Sequence, residues 1–96
     1  MLEWQEEAAR RAGLYAIRHS RTLNSEQRFG WGYDGIVIGT TAGSAIKALG
    51  FERLYQRERD VYLRLSQHGV EEIIGFAVPQ LLGFDDEFWC IEMEIV

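Results

Sequence analysis

A single cysteine, a single lysine and a single proline occur in these 96 residues. One thiol, Cys90, can form no internal disulfide and cannot supply a cysteine-based zinc site. The two histidines have no third ligand at metal spacing and no partnered nucleophile, so neither points to a metal or to nucleophilic chemistry. No apolar run approaches the roughly 20 residues that span a bilayer. The opening Met-Leu-Glu-Trp-Gln-Glu-Glu is acidic and amphipathic, unlike a signal peptide. These absences predict a cytoplasmic protein that engages no membrane. A long basic run is missing as well. The net charge of −5 divides into +1 over residues 1–28, +1 over 29–70 and −7 over 71–96, which argues against nucleic-acid binding.

What is present suits a folded domain. Apolar residues make up 47% and charged residues 26%, a balance that excludes disorder. The length allows one small domain with a modest core. Residues 2 to about 20 read as a helix, with Trp4, Ala8, Ala12 and Tyr15 at helical spacing and Leu14 and Ile17 widening the stripe. Early glutamates and a late Arg18 suit the helix dipole. Residues 21–26 are polar and read as a link to a first strand near Gln27 to Trp31.

The centre of the sequence is Gly30-Trp31-Gly32-Tyr33-Asp34-Gly35-Ile36-Val37, a G-x-G-x-x-G pattern. Glycines without a Cβ let backbone N–H groups come close to a phosphate. The pattern does not open a helix, as in a dinucleotide site, and no Gly-Lys-Ser/Thr follows, as in a Walker A loop. Ile36 to Thr40 reads as a strand, Thr41 to Ser44 as a turn, and Ala45 to Leu49 as a second strand with Lys47 at its middle. Asp34 puts a negative charge beside the site and opposes anion binding unless it points to solvent.

Residues 51 to about 67 form the strongest helix pattern. Phe51, Leu54, Tyr55, Val61, Tyr62 and Leu65 make one apolar stripe with one gap, filled by Glu58. A carboxylate inside such a stripe needs a cation, and the preceding strand offers Lys47. A Lys47–Glu58 ion pair is therefore predicted from periodicity. The other reading is a carboxylate reaching out at the stripe's edge. Gly69 suits a helix C-terminus. Residues 71–77 read as a connection, Val78 to Phe84 as a strand, Asp85-Asp86 as a turn and Glu87 to Met93 as the last strand.

The glycine pattern with Val37, the triplet Ala45-Ile46-Lys47 and Glu58 together resemble the small N-terminal lobe of the protein-kinase fold. The resemblance covers roughly residues 27–96 and leaves residues 1–26 as an added helix and linker. It implies an α+β fold: an antiparallel five-stranded sheet with one packed helix, plus the extra N-terminal helix. It implies ATP with magnesium as cofactor, contacted by Gly30, Trp31, Gly32, Tyr33, Gly35, Val37, Ala45, Lys47 and Glu58. Ile91, Glu92 and Met93 would begin the segment that contacts adenine, either with Ile91 as gatekeeper and Glu92 opening the hinge, or with Met93 and Glu94 in those places. The eleven-residue step from Lys47 to Glu58 is shorter than in typical protein kinases. Gly50 is the expected hinge for so tight a connection.

No H-R-D-x-x-x-x-N loop and no D-F-G occur, and Asp60, Asp85 and Asp86 cannot replace them, so no catalytic residue is expected in this chain. The resemblance implies the ATP-binding small lobe of a serine/threonine kinase-like phosphotransferase, expected to be a fragment that is not competent alone. The alternative is a non-catalytic interaction module that keeps the fold. A third reading uses the glycines only as turns. The first two leave an apolar face around Val37 and Ala45, expected to meet a C-terminal lobe or a second copy.

Overall fold

The computed structural model describes residues 2–31 and 34–95, and their side chains except over 25–31. The chain runs α1 (Glu3–Arg18), β1 (Leu23–Trp31), β2 (Gly35–Thr40), β3 (Ser44–Leu49), α2 (Glu52–Gln67), β4 (Glu72–Ile73), β5 (Phe76–Ala77), β6 (Leu81–Asp85) and β7 (Cys90–Glu94). The fold is α+β. Five antiparallel strands lie in the order β1-β2-β3-β7-β6, and β4 with β5 forms a separate small hairpin. No helix among the described residues is long and apolar enough to cross a membrane.

The sheet is covered on both faces, one helix to each. Strand alternation divides the residues. Ile36, Ile46, Ala48 and Cys90 meet α1 through Ala8, Ala12, Tyr15 and Ala16. Leu49 and Ile91 meet α2 through Tyr55, with Leu54, Tyr62, Trp89 and Met93 around them. The α1 face follows the i, i+4 spacing of three alanines. Ile17 does not widen it: one position beyond Ala16, it points outward and is 79% exposed. Arg11, between Ala8 and Ala12, is buried on this face instead. On α2 only Tyr55 is fully buried, and Phe51 and Val61 at the edges of the stripe stay exposed.

α2 ends where its glycine predicts. The Gly69 N–H donates to Ser66 O at 3.1 Å and the Val70 N–H to Leu65 O at 2.9 Å, the paired bonds of a Schellman cap. Gly50, at the tight β3–α2 connection, has a packing reason to be glycine. A Cβ there would lie 2.6 Å from the Trp4 ring, which α1 lays across the β3–α2 junction.

The end of α1 is tied to the β6–β7 turn. Asp85 accepts from His19 Nε2 at 2.9 Å, from Arg18 Nη1 at 3.1 Å and from the Glu87 N–H at 3.0 Å. Burial pushes the Asp85 carboxyl up, but these hydrogen bonds and the Arg18 charge outweigh it and leave the group below the usual carboxylate range. A folded pKa below the unfolded one gives stability that is present above the unfolded value and lost as pH falls through the folded one. Melting temperature should therefore drop as pH is lowered through the ordinary carboxylate range and below it, as this group's contribution is lost. Asp85→Asn should flatten that part of the pH profile, as read by thermal denaturation.

Candidate functional site

β3 is the central strand, and Lys47 lies at its middle. Across the sheet it is paired with Val37 on β2 and Ile91 on β7. Its side chain leaves the sheet on the α2 face and is 19% exposed. There Lys47 Nζ donates to Glu58 Oε1 at 2.8 Å. The gap in the α2 stripe is thus filled as the periodicity predicts. Glu58 sits one turn from Leu54 and one turn from Tyr62 on the same helix face, so α2 carries the carboxylate to the strand.

A second carboxylate reaches the same amine. Asp34 Oδ2 lies 3.6 Å from Lys47 Nζ. The Asp34 carbonyl also accepts the Gly50 N–H at 2.8 Å, which pins the start of β2 to the end of β3. Burial alone would lower the Lys47 pKa. The Glu58 hydrogen bond and charge, then the Asp34 charge, outweigh it and hold the amine above its ordinary value. The amine is a cation at any physiological pH, flanked by two anions.

Beside this cluster a groove of about 450 Å³ opens between α2 and the residues after it. Asp34, Glu58 and Arg57 form its polar part, and Leu54, Val61, Tyr62 and Val78 form apolar wall. Among the described residues no group of three or more His, Cys, Asp or Glu could hold a metal ion.

The remaining expected residues are distributed as follows. Val37, Ala45, Ile91 and Met93 share the face of Lys47, with Ala45 paired to Met93. Ala45 is buried and Val37 half-buried, so the open apolar face expected around them is largely closed. Gly30 pairs with Val37 through the backbone. Gly32 and Tyr33 lie outside the described residues, as does the side chain of Trp31. Gly35 has a structural reason to be glycine, because a Cβ there would come within 2.5 Å of Ala48 O in the neighbouring strand. That reason holds with or without a phosphate.

Glu92 stands apart from the others. The expectation that it opens an adenine-contacting segment does not fit its place. β7 continues to Glu94, and Glu92 is paired both to Ile46 and to Gly83. Its side chain turns to the α1 face and is 2% exposed. It accepts from Tyr15 Oη at 3.0 Å, from Ser44 Oγ at 2.6 Å and from Arg21 Nε at 2.7 Å. Thr40 Oγ1 stands 2.7 Å from Ser44 Oγ and extends the network. Alternation explains the difference: with Ile91 on the Lys47 face, Glu92 must point away from it.

Two features escaped the sequence reading. Arg11 lies three residues after Ala8 and one before Ala12, inside a stripe that becomes buried. The test that singled out Glu58 would have singled it out too. The Asp34–Lys47 contact has no periodic signal, because it depends on how β2 begins against the end of β3. No protein-family model, curated protein or solved structure matches this chain.

Proposed function

We propose that this chain is a nucleotide-binding module of the kinase small-lobe type, which takes the phosphates of Mg-ATP at Lys47. The observation that carries the reading is the Lys47–Glu58 pair: the chain's one lysine, on the central strand, held at 2.8 Å by the one carboxylate of an otherwise apolar helix stripe. A half-buried amine fixed in this way is a preset point charge for a phosphate oxygen. Val37 and Met93, both half-buried on the same face, would border the base. The magnesium would be held chiefly by the triphosphate, since the described residues bring no ligand cluster of their own. Phosphoryl transfer would need a base and metal-holding groups from outside this sequence.

Calorimetric titration with Mg-ATP tests the reading. Lys47→Ala should weaken binding by tenfold or more, since one charge-assisted phosphate contact is worth about 1.5–3 kcal/mol.

A second reading, a non-catalytic interaction module, draws on the β4–β5 hairpin. Ile74 at its tip is 91% exposed and Phe76 is 76% exposed. Ile74 also holds φ at 51°, a costly conformation for a β-branched residue. On that reading the Lys47→Ala substitution leaves the chain's binding behaviour unchanged.

A further inference from the structure

Asp34 lies within the glycine pattern yet contacts the cation that the pattern would serve. Its carboxylate is 3.6 Å from Lys47 Nζ and about half exposed, while Glu58 holds the same amine from the helix side at 2.8 Å. The two carboxylates do different work. Glu58 stands in the apolar stripe of α2 and positions the amine. Asp34 stands at the solvent side, where an incoming anion would arrive. One lysine between two carboxylates makes a contact cluster of charge −1, with Arg57 on the wall of the same groove, and the amine is open to a phosphate only when one carboxylate withdraws. Only Asp34 can withdraw cheaply. Its backbone is held through its carbonyl and the Gly50 N–H, so the side chain can rotate away without disturbing β2 or β3.

We infer that Asp34 is a built-in competitor for the phosphate at Lys47, so that this site admits only multiply charged phosphate ligands that displace the Asp34 carboxylate. The inference rests on the nucleotide reading and adds a selectivity to it. A nucleoside triphosphate with magnesium displaces Asp34, and inorganic phosphate or a nucleoside monophosphate does so poorly. Release of the ligand returns Asp34 to Lys47, which keeps the amine paired in the free protein.

The test is calorimetry of the whole chain with Mg-ATP, AMP and inorganic phosphate, on the native sequence, Asp34→Asn, Asp34→Ser and Lys47→Ala. Circular dichroism checks that each is folded. Removing a half-exposed ion-pair partner should tighten Mg-ATP binding about three- to tenfold and narrow the preference for triphosphate over monophosphate. A second readout needs no nucleotide. Lys47 is the only lysine, so an amine-reactive reagent reports on it almost alone, apart from the N-terminus. Both Asp34 variants should acylate Lys47 faster at pH 8, and Mg-ATP should protect it. Equal Mg-ATP affinity in the native and Asp34→Asn chains, with binding lost in Lys47→Ala, overturns the competitor and leaves the nucleotide site standing. Absence of binding in every variant, including Asp34→Asn, overturns both.

Discussion

Replacing Arg11 with alanine should destabilise this domain by about 3–5 kcal/mol, a large part of the 5–15 kcal/mol that holds a typical domain together. Arg11 is the one charged residue on the buried face of α1 and is 6% exposed. Its Nη1 donates to Phe88 O at 2.8 Å and its Nη2 to Leu49 O at 2.9 Å. The guanidinium also lies 4.7 Å from the centre of the Trp89 ring. One planar fork thus closes the end of β3 and the β6–β7 turn against the helix. Burial pushes its pKa below the usual arginine value, and Glu7, 3.9 Å from Nε, counters this only in part. Alanine would take its side-chain donor from the buried Leu49 carbonyl, at about 1–3 kcal/mol, and leave Phe88 O with only the weak Cys90 thiol donor at 3.3 Å. It would also remove the guanidinium from the face of Trp89, a residue with φ of 53°. Lysine should recover little, since an ammonium cannot serve two carbonyls in the geometry of a fork. Urea denaturation checks this: the midpoint should fall sharply while the slope stays constant.

Glu92→Ala should cost a similar amount, about 3–5 kcal/mol, because it breaks a buried charge network from the middle. Tyr15, Ser44 and Arg21 all donate to this carboxylate. Burial and the Glu92 charge hold the Tyr15 phenol well above its usual pKa, so it remains a donor. Removing the acceptor leaves a buried hydroxyl, a buried serine and a half-covered arginine without their partner. Glu92→Gln keeps the shape and loses the charge, and should cost about 1–2 kcal/mol, within the range for a charged hydrogen bond made neutral. Combining Glu92→Ala with Tyr15→Phe should cost less than the sum of the two, by about 0.5–3 kcal/mol, as expected for side chains in direct contact. Full additivity would mean that the network is not energetically coupled.

Periodicity made the two helices, three of the five strands and the Lys47–Glu58 pair readable in the sequence. In each case the signal was apolar spacing, together with a charge that the spacing could not accommodate alone. The misses have local causes. β1 begins at Leu23 and not near Gln27, because its first residues are polar and carry no alternation. The last strand begins at Cys90, because Asp86 to Trp89 form a turn. Glu-Phe-Trp reads as strand, and the groups that hold the turn, among them Arg11, Arg18 and Arg59, lie many residues away. The β4–β5 hairpin has Ile74-Gly75 at positions that favour Asn-Gly or Gly-Gly, so no turn signal announced it. The resemblance names Glu92 as the start of a hinge, whereas the alternation of β7 turns its side chain to the α1 face. What was legible was short-range spacing. What was not legible were contacts between elements far apart in the chain.

Whether this chain binds a nucleotide depends on Lys47 being an anion site. The direct measurement is titration of the folded chain with Mg-ATP, on the native sequence and Lys47→Ala in parallel. The predicted result is saturable binding in the native chain and its loss in Lys47→Ala, with the far-ultraviolet spectrum unchanged. Binding of equal strength in both would contradict the account, and so would no binding at several millimolar, a range that spans about 4 kcal/mol of affinity, by a folded native chain.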